Sequence, residues 1–301
     1  MNLPKLIVIV GPTASGKTEF AINMAEKIDG EIISADSLQV YKEFSICTSK
    51  PDEIQLGRVK HYLINYISVS EEYSVYNFVR DAKKIIKKII NNKKTPIITG
   101  GTGLYIDALI NNFQFENLNC EKKNNNYNNN IYIKNNKNLY EMLQKLDPLA
   151  AENIHKNDIK RINHAINFFN KFGFSICNQK INTEKNKLKS NFYFNFKKEF
   201  EIIKFGLNFI NRDILYKRIN NRVDKMLQNG LLEEINFVKK LKISRTASAA
   251  IGYKELLPYF NGETTLYQAI EKIKRQTRRY AKRQITWFKR CPITKWILKN
   301  K

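Results

Sequence analysis

Eight consecutive residues, Gly11-Pro12-Thr13-Ala14-Ser15-Gly16-Lys17-Thr18, fit the pattern GxxxxGK[ST]. Their chemistry is the capture of a diphosphate. Gly11 and Gly16 let the backbone turn so that its N–H groups point inward, at the positive end of a following helix. Lys17 adds a point charge to the phosphate oxygens, and Thr18 offers a hydroxyl to Mg²⁺. Such a loop specifies a diphosphate with magnesium; it does not specify ATP. Two other residues could act beside it. Asp36, in ISADSLQVY, can take a proton, hold a metal or cap a turn. Thr102, in ITGGTGLYIDAL, carries a hydroxyl that can bond a phosphate or a reacting group, or can be an ordinary cap.

These residues need a frame that brings them to one rim. Lys5 to Val10 is a short β-branched run that predicts a buried strand. Phe20, Ala21, Met24, Ala25 and Ile28 then repeat at helical spacing, with Gly30 expected to end the helix. EIISADS predicts a second strand, Phe78 to Ile90 a helix with one apolar face, and TPIITGGTGLY a strand entering a glycine turn. Strand, helix, strand, helix predicts an α/β fold with a parallel sheet flanked by helices. Asp36 and Thr102 then fall at strand carboxyl ends, where such sheets bind ligands.

The order breaks in the Asn-rich, low-complexity run 121–138, after which two or three short helices are expected up to about residue 173. IIKFGLNF predicts a returning strand, and two long basic helices, about Arg212 to Asn229 and Leu266 to Lys289, finish the chain. The expected organisation is a P-loop core over 1–114 and 199–301, interrupted by a helical subdomain over 115–198.

Lys and Arg number 52 against 28 Asp and Glu, a formal net charge of +24. A balance that basic favours a polyanion such as nucleic acid, although scattered Lys is often only a solvated face. Cys47, Cys120, Cys177 and Cys291 form no CxxC pair, and the three histidines complete no zinc spacing, so free thiols of a cytoplasmic protein are expected. The apolar run Leu6 to Val10 is too short for a membrane span or a signal peptide. A monomer is the default expectation.

GPTASGKT, ADSLQVY, TSKP, GGTGLY, DPLAAENIHKNDIKRINHAI, RINNRVDKML, AIGYKE and YAKRQITWFK follow one another in this order. In this the chain resembles the tRNA dimethylallyltransferases, or tRNA isopentenyltransferases, from Ile7 to about Lys289. The resemblance implies a P-loop NTPase-like core that transfers a dimethylallyl group from dimethylallyl diphosphate. The acceptor it implies is the exocyclic amine of the adenosine 3′-adjacent to the anticodon, in tRNAs reading codons that begin with U. The loop from Gly11 to Thr18 would then cradle the prenyl donor, with Mg²⁺ near Thr18. Lys17 and Arg218 would stabilise the leaving diphosphate, although Arg218 without the motif reads as a surface arginine. Asp36 matches the family's base, and Thr102 the threonine that orients the reacting groups and contacts the tRNA. Ser37, Leu38 and Gln39 would line the adenine's entry, with Gln39 able to read a base edge or merely shape a turn. Lys160, Arg161, Ile162, Asn163 and His164 match a stretch that contacts the anticodon stem-loop. Arg278, Lys282 and Arg283 would meet RNA backbone.

The chain departs from the family pattern at Cys47-Thr48, where Gly-Thr is usual, at Asn65, where an aspartate is usual, and at His164, where an arginine is usual. A family tRNA contact near Lys122 or Lys123 has no clear counterpart. Two other readings share the loop: a P-loop kinase of a small metabolite, and an RNA-binding protein with a vestigial loop. Intact Lys17, Thr18, Asp36 and Thr102 weigh against the second, and a preference for ATP over an allylic diphosphate would mark the first.

Overall fold

The structure, a computed structural model, describes residues 3–111, 136–172, 175–177 and 196–300. The chain divides into two units, Met1–Asn112 with Phe194–Lys301, and Phe113–Tyr193. The first is built on six parallel strands: β1 (Lys5–Val10), β2 (Gly30–Ser34), β3 (His61–Tyr62), β4 (Thr95–Gly100), β5 (Glu201–Phe209) and β6 (Lys295–Lys299). Their order is β3-β2-β4-β1-β5-β6. In β1 only Lys5 is exposed, as expected of a strand covered on both faces. Its last residue, Val10, stands level with Gly100 of β4 and Gly206 of β5. The loops after β1, β2 and β4 therefore leave the sheet at one rim, and these loops carry Lys17, Asp36 and Thr102.

Helices α1 (Lys17–Lys27), α2 (Glu53–Arg58), α3 (Val75–Asn91) and α4 (Gly103–Ile110) belong to the first half of this unit. The inserted unit carries α5 (Asn136–Leu146), α6 (Pro148–Asn153) and α7 (Ile159–Phe172). The second half of the core adds the single turn α8 (Phe196–Glu199), then α9 (Arg212–Gln228), α10 (Leu231–Val238), α11 (Tyr253–Phe260) and α12 (Leu266–Phe288). On α3, Ser74 and Asn77 close a capping box, and Phe78, Val79, Ala82, Ile86 and Ile89 are buried along one face. The inserted unit has a core of its own, made by Leu139, Leu143, Ala150, Ala151, Ile162, Ala165 and Ile166.

Two details differ from the sequence expectations. The helix α1 is not ended by Gly30: Asp29 takes the left-handed turn (φ 47) and Gly30 opens β2. A carboxylate residue tolerates that conformation better than most, which is why the nearby glycine misleads. The chain also does not finish in helix, because β6 follows α12 and pairs with β5. Of the Asn-rich run 121–138, residues up to 135 lie outside the described residues, and with them Lys122 and Lys123; Cys120 lies outside them as well. Among the described residues no helix is long and apolar enough to cross a membrane.

Candidate active site

The loop leaving β1 has left-handed backbone at Ala14 (φ 63) and Gly16 (φ 83). Such turns gather successive amides into a concave anion nest, and Gly16 meets the strain without a Cβ penalty. Three of the loop's carbonyls are held by cations. Lys17 Nζ donates to Pro12 O at 2.7 Å, Arg218 Nε to Ala14 O at 3.0 Å and Lys299 Nζ to Ser15 O at 3.1 Å. Acceptors that could repel a phosphate are thus engaged, and positive charge lies next to the loop. Ser15 is buried and its hydroxyl finds no partner among the described residues, so Ser15 serves the loop through its backbone.

Burial pushes the Lys17 ammonium down to about 7, Arg222 beside it pushes the same way, and Asp36 opposes both. Arg222 is itself pushed down to about 10 by burial, again opposed by Asp36. Two cations therefore face one carboxylate in a poorly hydrated place. A site so charged gains by taking up an anion. Arg222 is fixed from the far side: its Nε donates to Ser49 Oγ at 2.7 Å and a terminal nitrogen to Thr48 O at 3.4 Å. Ser49 holds a left-handed φ of 45 to meet it. Glu234 of α10 in turn holds that loop, accepting the N–H groups of Ser45, Ile46 and Cys47 at 2.7–2.8 Å.

Asp36 lies just beyond β2. Its Oδ1 accepts the N–H groups of Leu38 (2.9 Å) and Gln39 (3.4 Å), so part of the capping alternative is realised. No described residue bonds Oδ2, which leaves that oxygen for a proton. Thr102 stands at the N-cap position of α4 yet makes no capping bond. Its Oγ1 accepts the Ser37 N–H at 3.1 Å, so the turn after β4 is tied to the turn after β2. Tyr280 of α12 points at the same place: burial pushes its phenol up, the Asp36 charge adds to this, and hydrogen bonds with Thr102 and Gln284 oppose it.

Two site expectations need correction, and a third gains a second arginine. Gln39 is not poised to read a base: Nε2 donates to Thr48 O and Ser49 O, both 3.4 Å, and Oε1 accepts Ser34 Oγ at 3.1 Å. It pins the two loops together. Ile162 is fully buried in the inserted unit's core, whereas Lys160, Arg161 and His164 are exposed on α7 and Asn163 is half-buried. Arg218 bonds the phosphate loop at Ala14 with its guanidinium over the Phe209 ring, 5.3 Å from its centre, and Arg222 is a second arginine, coupled to Lys17 and Asp36. On α12, Lys282 and Arg283 are exposed, and Arg278 donates to Asn220 of α9 at 2.6 Å.

Sequence reasoning missed Arg222, Lys299, Tyr280 and Gln284. Arg222 follows Arg218 by one helical turn, so the RINNRV spacing put it on the same face. Nothing local marks Lys299. Among the described residues no three His, Cys, Asp or Glu side chains gather as a metal site. Thr18, the second residue of α1, is the hydroxyl that the loop's pattern offers to a magnesium ion. Cys47, Cys177 and Cys291 are free thiols, and burial pushes the Cys47 thiol up, away from reactivity.

The model of a family described as IPP transferase matches residues 39–291. A tRNA dimethylallyltransferase of Acetivibrio thermocellus is 41% identical, over 99% of this chain and 93% of its own length. Another, from Thermoanaerobacter, is 43% identical over 97% of this chain and 91% of its own. The crystal structure of a full-length tRNA isopentenylpyrophosphate transferase from Bacillus halodurans superposes with a TM-score of 0.70 at 34% identity, covering 98% of this chain and 89% of that one. A eukaryotic dimethylallyltransferase acting on tRNA gives a TM-score of 0.80 at 29% identity, covering 99% and 74%.

Proposed function

Because the chain belongs to the IPP transferase family, we propose that it moves a dimethylallyl group from dimethylallyl diphosphate to a tRNA adenosine. The acceptor is the exocyclic amine of the adenosine 3′-adjacent to the anticodon, in tRNAs reading codons that begin with U. The observation that carries the reading is the electrostatic grouping of Lys17, Arg222 and Asp36 at one rim of the sheet.

The adenine amine is a weak nucleophile, its lone pair delocalised into the ring. As its nitrogen bonds to the allylic carbon, the bond from that carbon to the diphosphate oxygen breaks, and the nitrogen must shed a proton. Asp36 Oδ2 takes that proton, a contribution of about 10²–10⁴-fold for a well-placed base. Negative charge builds on the leaving oxygen, where the Lys17 and Arg222 side chains and the backbone N–H groups of residues 16–18, at the start of α1, receive it. Lys17 would exchange the Pro12 carbonyl for a phosphate oxygen. Thr102, with Ser37, holds the acceptor side. Mg²⁺, held by Thr18 and the donor's own phosphates, would supply further charge neutralisation. The adenine must leave its stack to reach this rim, at a cost of a few kcal/mol that is smallest in a loop. Exposed Lys160, Arg161 and His164 on the inserted unit, and Lys282 and Arg283 on α12, are the proposed RNA contacts. The cytoplasm is the proposed compartment.

The test is incubation with labelled dimethylallyl diphosphate, Mg²⁺ and unmodified tRNA. Label recovered on an adenosine is the expected result. Turnover of ATP on a small acceptor, with no label in RNA, would sink the reading.

A further inference from the structure

Gln284 is 5% exposed, and its carboxamide is engaged at both ends. Oε1 accepts the Thr13 N–H at 2.8 Å, and Nε2 donates to Gly101 O at 3.0 Å. Thr13 belongs to the phosphate loop, and Gly101 immediately precedes Thr102. One buried side chain therefore spans the donor loop and the acceptor turn, and it stands beside Lys282 and Arg283 on the helix proposed to meet RNA. A Cβ on residue 101 would lie 2.1 Å from Gln284 Nε2, so this close approach requires glycine. The chemistry is directional: one end must accept and the other must donate. A glutamate would set a carboxylate against the Gly101 carbonyl, and a methionine would leave the half-buried Thr13 amide and the buried Gly101 carbonyl without this partner.

We propose that Gln284 is a positioning residue that locks the separation between the two substrates and couples their binding. The inference rests on the transfer reaction proposed above. Displacement needs the amine nitrogen about 3–3.5 Å from the allylic carbon and in line with the leaving oxygen, and a misplacement of about 1 Å can cost about 10²-fold in rate. A strut between the loops that hold the two partners sets that distance. By the same strut, an anion that orders the phosphate loop orders the turn bearing Thr102, so each ligand strengthens the other reciprocally.

The test compares the wild type with Gln284→Met and Gln284→Glu, each checked by thermal melting. Transfer of labelled dimethylallyl to tRNA gives kcat and KM for both substrates. Binding of tRNA with and without inorganic diphosphate plus Mg²⁺ gives the coupling. In Gln284→Met, kcat is expected to fall by about 10–100-fold, on the order of a sub-ångström to ångström misplacement, and each KM to rise by no more than the factor by which diphosphate enhances tRNA binding in the wild type. The enhancement of tRNA binding by diphosphate seen in the wild type should vanish. Gln284→Glu, which keeps the acceptor for Thr13, should fall between the two. Variants with wild-type kcat and intact coupling, or a loss of kcat that follows the fall in melting temperature alone, overturn the inference. So does a wild type that transfers the group but shows no coupling. A wild type that transfers nothing overturns the proposed function, and the inference with it.

Discussion

Burial and the facing Arg222 push the half-buried Lys17 ammonium down to about 7, far below an ordinary lysine. The sign follows directly: the charged fraction falls as pH rises through about 7, and with it the attraction for a diphosphate. The kcat/KM for the allylic donor should therefore decline above that pH, by up to about tenfold per unit, and Lys17→Arg should flatten the decline. A donor affinity that stays level from about pH 6 to about pH 9 would contradict this placement. Asp36→Ala should lower kcat by about 10²–10⁴-fold with tRNA affinity nearly unchanged, and retained turnover would remove Asp36 as the base. Arg222→Ala should slow transfer by about 10²–10³-fold, more than Arg218→Ala does, and the reverse ranking in steady-state assays would count against the assignment. The family motif made Lys17, Asp36 and Thr102 legible in the sequence. The choice between Arg218 and Arg222 was not, because it depends on Ser49, which meets Arg222 across 173 positions of sequence.

Single elements explain why some of these side chains stay in place. Helix α10 presents Glu234 to three backbone amides of the loop 45–47, and that loop continues into Thr48 and Ser49, the partners of Arg222. Charged hydrogen bonds of this kind contribute about 1.5–3 kcal/mol. Glu234→Ala should lower unfolding free energy by an amount of about that size and raise the KM for the donor, as measured by denaturant melts and steady-state kinetics; an unchanged KM would show the loop holds Arg222 without help. Strands and helices themselves were readable from period and β-branching, since β1 buries Leu6 to Val10 and α3 buries Phe78, Val79, Ala82, Ile86 and Ile89 on its apolar face. Ends were less readable. Asp29 makes the turn that a glycine more often makes, and β6 is too short and too rich in Lys to announce itself.

At the scale of the molecule, a net charge of +24 makes RNA binding a matter of counterion release. Replacing Lys282 and Arg283 with Ala should reduce the slope of log affinity against log salt by about one to two units, evenly across tRNA sequences. An unaltered slope would move the footprint off α12. The α/β class and the parallel sheet followed from the alternation of apolar runs. The strand order did not, because β1 lies between β4 and β5, whose neighbourhood is decided by packing rather than by anything local to their sequences.

The clamp of Lys299 on Ser15 carries a consequence for biosynthesis. The two partners lie 284 positions apart, and β5 also emerges only after the insertion. A nascent chain can thus display its phosphate loop while all the residues between them are made, without the sheet edge and the outer cation that complete it. Ribosome-bound chains arrested before residue 290 should fail to retain the prenyl donor, so competence for the reaction waits for β6 to emerge.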